Sequence, residues 1–309
     1  MRIAVIGAGA IGSVIAAEIA RAGADITLVA RGSRLDALRT GPVSLASTSS
    51  NGTGRNDAVR VTTVAIHDLA APVDLAICCV KVPALAGVLA DLAGKLAPDG
   101  AVLTLQNGVE AHDIAAECLP TATILAGRVH GFFEMDGDTA RHVGVPPSIR
   151  FGCTHRPAQA AEHRVTEAFA SSTISTEPCA NIRQALWEKF MLAACLGSVG
   201  SALGLPAGQV CASTQARTLL RGAMEEVAAL ARTTGIDLSD ADIDASIAFA
   251  ESFPANATTS LQRDLDSGRP SEYDALTGAV AHIARTHGFH ADVFTRIEAM
   301  IARRMAGRI

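Results

Sequence analysis

Directly after the apolar run Ile3-Ala4-Val5-Ile6 the chain reads Gly7-Ala8-Gly9-Ala10-Ile11-Gly12. That spacing suits a strand that turns tightly into a helix around a pyrophosphate. Gly7 makes the turn, Gly9 lets the backbone approach the phosphates, and Gly12 lets the helix pack closely on the strand. Ala10, Ile11 and Gly12 would then offer the anion their free N–H groups at the positive end of the helix. A helical, Ala-rich stretch over residues 13–22 and a second apolar run over residues 26–30 supply the context the motif needs. A dinucleotide that shuttles hydride is the ligand such a turn expects. At the end of the second run, a site for NAD usually carries an Asp or Glu about 20 residues beyond the glycines. Here stands Ala30-Arg31-Gly32-Ser33-Arg34. Arg31, a permanently charged fork of donors, suits a ribose 2′-phosphate, with Ser33 and Arg34 placed to assist. The expected cofactor is therefore NADP (NADPH). The plainer alternative is that Arg31 is a solvated loop residue.

Four further polar interruptions could carry chemistry. Val80-Lys81-Val82-Pro83 and Leu105-Gln106-Asn107-Gly108 each follow a short apolar run, at the strand mouths where open α/β sheets hold ligands. Lys81 can meet a cofactor or substrate anion, and the Asn107 amide can orient a nicotinamide or a substrate oxygen. Equally, Lys81 could be a solvated strand end and Asn107-Gly108 a plain turn. Leu186-Trp187-Glu188-Lys189-Phe190 and Ser271-Glu272-Tyr273-Asp274 read, on spacing alone, as an amphipathic helix start and a helix cap. His130 and His142 have no Asp or Arg at a spacing that marks a catalytic histidine, so a surface or internally satisfied role is expected. Arg269-Pro270 reads as a turn.

These residues need a scaffold, and the first half of the chain alternates strand and helix signals. Residues 74–80, 101–105 and 123–129 are short apolar runs of the kind buried on both faces of a parallel sheet. Residues 83–96 have helical periodicity, closed by Pro98-Asp99-Gly100. The polar, Gly-rich residues 46–57 suggest the tip of a hairpin. From Gln184 onward the stretches 184–203, 216–234, 239–252, 273–286 and 293–306 are amphipathic and Ala- or Leu-rich, without strands among them. The expectation is an α/β chain: a Rossmann-type parallel-sheet domain over residues 1–180 and an all-helical domain over residues 181–309 that serves substrate binding or dimerisation.

Composition narrows the partners. At 309 residues the chain can hold two cores. It is 49% hydrophobic, yet no apolar run approaches the roughly 20 residues of a membrane span. The first strand signal starts at residue 2, which argues against a signal peptide and for a cytoplasmic protein. Seven cysteines without a CxxC pair suggest neither a disulfide framework nor a metal site. A net charge of -5 with no basic run, and only one Trp and one Tyr, argue against nucleic acid.

Taken in order, the glycine motif, Val80-Lys81, Leu105-Gln106-Asn107-Gly108, Leu186-Trp187-x-Lys189-Phe190 and Ser260-Leu261-x-x-Asp264 through Gly268-Arg269-Pro270-Ser271-Glu272-x-Asp274 resemble the ketopantoate reductase (2-dehydropantoate 2-reductase) family. The resemblance spans almost the whole chain and is most specific between Ser260 and Asp274. It implies that Lys189 is the general acid that protonates a 2-oxo acid carbonyl as hydride arrives from NADPH, and that Glu272 fixes the substrate near it. It also implies that Lys81 and Asn107 line the site beside the nicotinamide, and that Ser260 binds the substrate carboxylate. Such a set is chemically coherent, since a 2-oxo acid needs donors for its carboxylate and a proton source at its carbonyl.

The chain also departs from the family. Asparagines expected four and eight residues after the lysine are Ala193 and Gly197, and the one expected three residues before Ser260 is Ala257, with Asn256 beside it. Positions 189, 193 and 197 share one helix face, which therefore reads as apolar and roomy. One expectation is a 2-oxo acid bulkier or more apolar than ketopantoate. The other is that the small residues serve close helix packing and ketopantoate remains the substrate. Two rival functions stay open: a regulatory protein that binds NADP without turnover, and another two-domain NADP-dependent hydroxy acid dehydrogenase. A homodimer is compatible with the helical half.

Overall fold

The computed structural model describes residues 1–49, 54–154 and 158–307. By its internal contacts the chain divides into two compact units: Met1–Gln106 with Glu110–Ile182, and Asn107–Val109 with Arg183–Ile309.

The first unit is built on strands β1 (Arg2–Ile6), β2 (Asp25–Val29), β3 (Val43–Ser49), β4 (Gly54–Val59), β5 (Thr62–Val64), β6 (Val73–Cys78), β7 (Leu96–Thr104), β8 (Thr123–Asp136), β9 (Thr139–Cys153) and β10 (Ser175–Pro178). Its helices are α1 (Ala10–Arg21), α2 (Gly32–Thr40), α3 (Leu85–Leu92), α4 (Ala111–Cys118) and α5 (Gln159–Phe169). Strands β5-β2-β1-β6-β7-β8 are parallel neighbours. Counted along the chain, that is the strand order 3-2-1-4-5-6 of a dinucleotide-binding sheet, whose order reverses beside β1. The pleat of β1 sends alternate side chains to two layers. Ile3 and Val5 pack with Val14, Ile15, Val165 and Phe169 of α1 and α5, while Ala4 and Ile6 pack with Leu85, Leu89, Ala111 and Ala115 of α3 and α4. Both faces are covered, which is why these strands read as continuous apolar runs.

Three elements differ from expectation. The helix expected over residues 83–96 is shorter, because Gly94 takes φ +77° and ends it as only a glycine does cheaply; β7 then starts at Leu96. The strand expected over residues 123–129 continues to Asp136 and pairs antiparallel with β9, with an irregularity between His130 and Phe132. Gly131 at φ +138° and the mixed polarity of residues 130–153 hide this hairpin from periodicity. The expected hairpin over residues 46–57 is present as the antiparallel pair β3–β4, and residues 50–53 lie outside the described residues.

The second unit is helical, as expected: α6 (Ile182–Leu203), α7 (Ala207–Ala212), α8 (Thr214–Thr233), α9 (Asp240–Glu251), α10 (Ser260–Asp266), α11 (Tyr273–Thr286) and α12 (Asp292–Ala306). Buried hydrogen bonds tie its helices together, while the buried Ser201 hydroxyl has no partner among the described residues. The Ser198 and Thr277 hydroxyls join α6 to α11 at 2.7 Å, and the Glu226 carboxylate accepts from the Val293 and Phe294 N–H groups, each at 2.8 Å, at the positive end of α12. Among the described residues no helix is long and apolar enough to cross a membrane.

Candidate active site

In the first unit, the loop between β1 and α1 has the shape its glycines require. Gly7 sits at φ +110°, and a Cβ there would lie 2.9 Å from the Val80 nitrogen and 3.0 Å from the Cys79 carbonyl carbon. A Cβ on Gly12 would lie 1.9 Å from the Gly7 carbonyl oxygen. Neither position admits another residue without backbone movement. Gly9 is the opposite case, since a Cβ there would meet nothing within 4 Å. Gly9 is also the N-cap of α1, with no side-chain cap and no acidic residue in the first turn. The loop therefore presents open space and the uncapped N–H groups of a helix start, the donor set that a diphosphate needs. A nicotinamide dinucleotide fits these residues.

Arg31 is the N-cap of α2, exposed at the end of β2, and its side chain has no hydrogen bond or ion pair among the described residues. Arg34 does not share that freedom. Its Nε and one terminal nitrogen donate to the Ala8 carbonyl and the Ser13 Oγ, each at 3.3 Å, and the other terminal nitrogen donates to the Asp138 carbonyl at 2.9 Å. Its guanidinium is engaged by the glycine loop and the β8–β9 turn, contacts that the residue spacing did not reveal. Lys81 is exposed just beyond β6.

Gln106 carries a role that periodicity did not reveal. Its buried carboxamide donates to the Cys78 and Val80 carbonyls, at 3.0 and 2.9 Å. It thereby pins the end of β6 to the residues just beyond it, where Val80 lies against Gly7. The only hint in the sequence was an amide at the end of an apolar strand.

In the second unit, Asn107 Nδ2 donates to Glu272 Oε2 at 3.1 Å. Two side chains 165 positions apart are brought into one site. Glu272 is the N-cap of α11, and beside it burial, with Glu298 and Asp274 nearby, pushes the Tyr273 hydroxyl up to about 12. Tyr273 stays protonated at neutral pH. Lys189 is half-buried on α6, flanked by buried Trp187 and Phe190, whose rings meet edge-on at 5.5 Å. Ser260 opens α10 and is exposed, while Thr259 caps that helix by accepting from the Gln262 N–H at 3.2 Å.

The α6 face beyond Lys189 is less roomy than its small residues suggested. A Cβ on Gly197 would lie 3.3 Å from Leu261 Cδ2 and 3.4 Å from Thr259 Oγ1, and one on Gly200 would lie 3.1 Å from Gln262 Oε1. The start of α10 fills that space. Along the 189–193–197 line Lys189 and Ala193 are half-buried and Gly197 is buried.

His142 lies in β9 with its ring 5.2 Å from that of Phe133. It is half-buried, its Nε2 is buried without a partner, and burial lowers its pKa below the usual histidine value. The expectation of a surface or fully satisfied histidine is corrected to that extent. The buried Cys78 thiol is pushed up to about 12, consistent with its reading as a small apolar residue. Among the described residues no three His, Cys, Asp or Glu side chains are grouped to hold a metal ion.

Comparison with known proteins covers both units. Residues 3–156 match the family model "Ketopantoate reductase PanE/ApbA" and residues 181–304 match its C-terminal counterpart. The 2-dehydropantoate 2-reductase of Halobacterium salinarum is 26% identical over 308 residues, covering 97% of this chain and 98% of that protein. The crystal structure of a PanE/ApbA family ketopantoate reductase from Ralstonia eutropha is similar with a TM-score of 0.87 at 27% identity, covering 99% of each chain. A D-mandelate dehydrogenase, solved as a ternary structure with NADH and anilino(oxo)acetate, shares the fold with a TM-score of 0.87 at 20% identity, again over 99% of each chain. The chain belongs to the ketopantoate reductase PanE/ApbA family, a family of oxidoreductases.

Proposed function

We propose that this protein reduces a 2-oxo acid to the 2-hydroxy acid with NADPH, and that the substrate side chain is more apolar than that of 2-dehydropantoate. The observation that carries the first part is the Asn107–Glu272 hydrogen bond. It joins residues that two separate motifs had each marked for the same site. NADPH, when bound, supplies the hydride.

The chain's own groups do the rest. Gly9 and the start of α1 receive the diphosphate, and Arg31 receives the 2′-phosphate. Lys189 holds a proton at Nζ for the substrate carbonyl oxygen, where negative charge develops. Asn107 occupies one oxygen of Glu272, so the carboxylate keeps a fixed orientation toward the substrate. The Ser260 hydroxyl, with no side-chain partner among the described residues, is a donor for the substrate carboxylate.

Two points support the apolar substrate. Ala193 offers no hydrogen bond to a substrate hydroxyl, and a site without such a partner loses the discrimination it provides. The D-mandelate dehydrogenase of the same fold acts, by its name, on an acid with an aromatic side chain. The test is incubation of the purified protein with NADPH and candidate oxo acids, followed by product identification. The expected outcome is a 2-hydroxy acid, with turnover lost in Lys189→Ala. A β-hydroxy acid would favour another hydroxy acid dehydrogenase, and nucleotide binding without any product would favour a regulatory protein.

A further inference from the structure

We infer that Arg34 is a positioning residue for the diphosphate, acting through the Ala8 carbonyl, and that Asp138 in the β8–β9 turn holds it in place. This rests on the NADPH reading above. The Ala8 carbonyl accepts twice, from Ser13 Oγ at 3.2 Å and from Arg34 Nε at 3.3 Å. Arg34 also donates to the same Ser13 Oγ at 3.3 Å, so the three groups form a closed triangle around a fully buried serine. From its other side, Arg34 is anchored to the Asp138 carbonyl at 2.9 Å and to the Asp138 carboxylate at 3.4 Å. The glycine loop, α1 and α2 thus meet at one carbonyl, and the β8–β9 turn holds Arg34 from outside.

The consequence follows from peptide geometry. The Ala8–Gly9 peptide is trans, so its carbonyl and the Gly9 N–H point in opposite directions in one plane. Holding the Ala8 oxygen with two donors therefore aims the Gly9 N–H the other way. That N–H has no backbone partner among the described residues, and the space around Gly9 is open. Without the brace, the peptide plane is free to rotate, and the donor must be ordered when the anion binds. The arrangement assigns different work to the two arginines: Arg31 distinguishes NADPH from NADH, whereas Arg34 serves the diphosphate common to both.

Equilibrium binding of NADPH, NADH and adenosine 2′-monophosphate, which has no diphosphate, separates these roles. For Arg34→Met we expect NADPH and NADH to weaken together by about fivefold, the worth of an ordinary hydrogen bond, with their ratio and the affinity for adenosine 2′-monophosphate unchanged. Ser13→Ala should give the same pattern and serves if Arg34→Met fails to fold. Asp138→Asn should give it more weakly, and Arg31→Ala should instead collapse the NADPH to NADH ratio. Loss of adenosine 2′-monophosphate binding in Arg34→Met with a shifted ratio would overturn the inference in favour of direct 2′-phosphate contact. Unchanged binding of all three ligands would overturn it as well. Failure of the wild-type protein to bind either dinucleotide would instead refute the cofactor reading, before any variant is compared.

Discussion

Replacing Gly9 by alanine should separate nucleotide binding from folding, and the neighbouring glycines provide the contrast. Gly9 has φ -74° and ψ -171°, a conformation any residue adopts, and its added methyl would meet nothing within 4 Å. Alanine at such a site restricts the unfolded chain and stabilises by about 0.4–1 kcal/mol, so the melting temperature should hold or rise by a few degrees. The same methyl enters the space where the diphosphate is proposed to sit. Displacing one charge-assisted hydrogen bond costs about 1.5–3 kcal/mol, a loss of roughly ten- to a hundredfold in affinity. Gly12→Ala should behave in reverse order. Its methyl would come within 1.9 Å of the Gly7 carbonyl oxygen, and overpacking of this kind costs about 1–3 kcal/mol or more, which should appear as a fall of several degrees in melting temperature without any ligand. The assay is thermal unfolding of both variants, paired with NADPH titration by fluorescence. Wild-type NADPH affinity in Gly9→Ala would refute the reasoning, because it would place the diphosphate elsewhere.

Glu272→Gln should leave the fold intact while lowering turnover at least tenfold. Asn107→Asp should be worse than Asn107→Ala, since it sets two carboxylates about 3 Å apart, and a double-mutant cycle should give a coupling of about 1.5–3 kcal/mol for this charge-assisted bond. Gly197→Asn should destabilise by about 1–3 kcal/mol, because Leu261 and Thr259 already occupy its space, whereas Ala193→Asn should be tolerated and shift preference toward hydroxylated 2-oxo acids; thermal melts and substrate ratios check both. His142 adds a pH dependence. Burial holds its folded pKa below the ordinary histidine value of about 6.5, so below that pH the unfolded chain binds more protons and stability falls as pH falls. His142→Phe should flatten melting temperature against pH below 6.5, and an unchanged slope would show that this ring does not titrate on unfolding.

Much of this was legible from residue types. The glycine motif works through backbone sterics, so its geometry follows from the residues themselves, as Gly7 and Gly12 illustrate. The apolar runs of β1, β2 and β6 announced strands buried on both faces. Less was legible where structure depends on distant partners. On spacing alone Asn107 and Glu272 read as a turn and a cap, and only the family resemblance pointed both to one site; their hydrogen bond was not legible. Arg34 read as a phosphate ligand because its partners, Ala8 and Ser13 in one stretch and Asp138 in another, are distant from it in the chain. Gly197 read equally as open space or as a close packing contact, because the segment that packs on it, residues 259–262, arrives some sixty residues later. The β8–β9 hairpin escaped because glycines and a pairing irregularity interrupt its alternation. Local conformation was readable; which groups fill a space or satisfy a donor was not.

We propose NADPH-dependent reduction of an apolar 2-oxo acid with Lys189 as proton donor. It is tested most directly by kcat/KM for NADPH oxidation across 2-dehydropantoate, branched-chain 2-oxo acids and aromatic 2-oxo acids, with Lys189→Ala alongside. A branched or aromatic 2-oxo acid should lead the series, and its turnover should collapse in the variant. Clear preference for 2-dehydropantoate would contradict the specificity, and undiminished turnover in Lys189→Ala would contradict the mechanism.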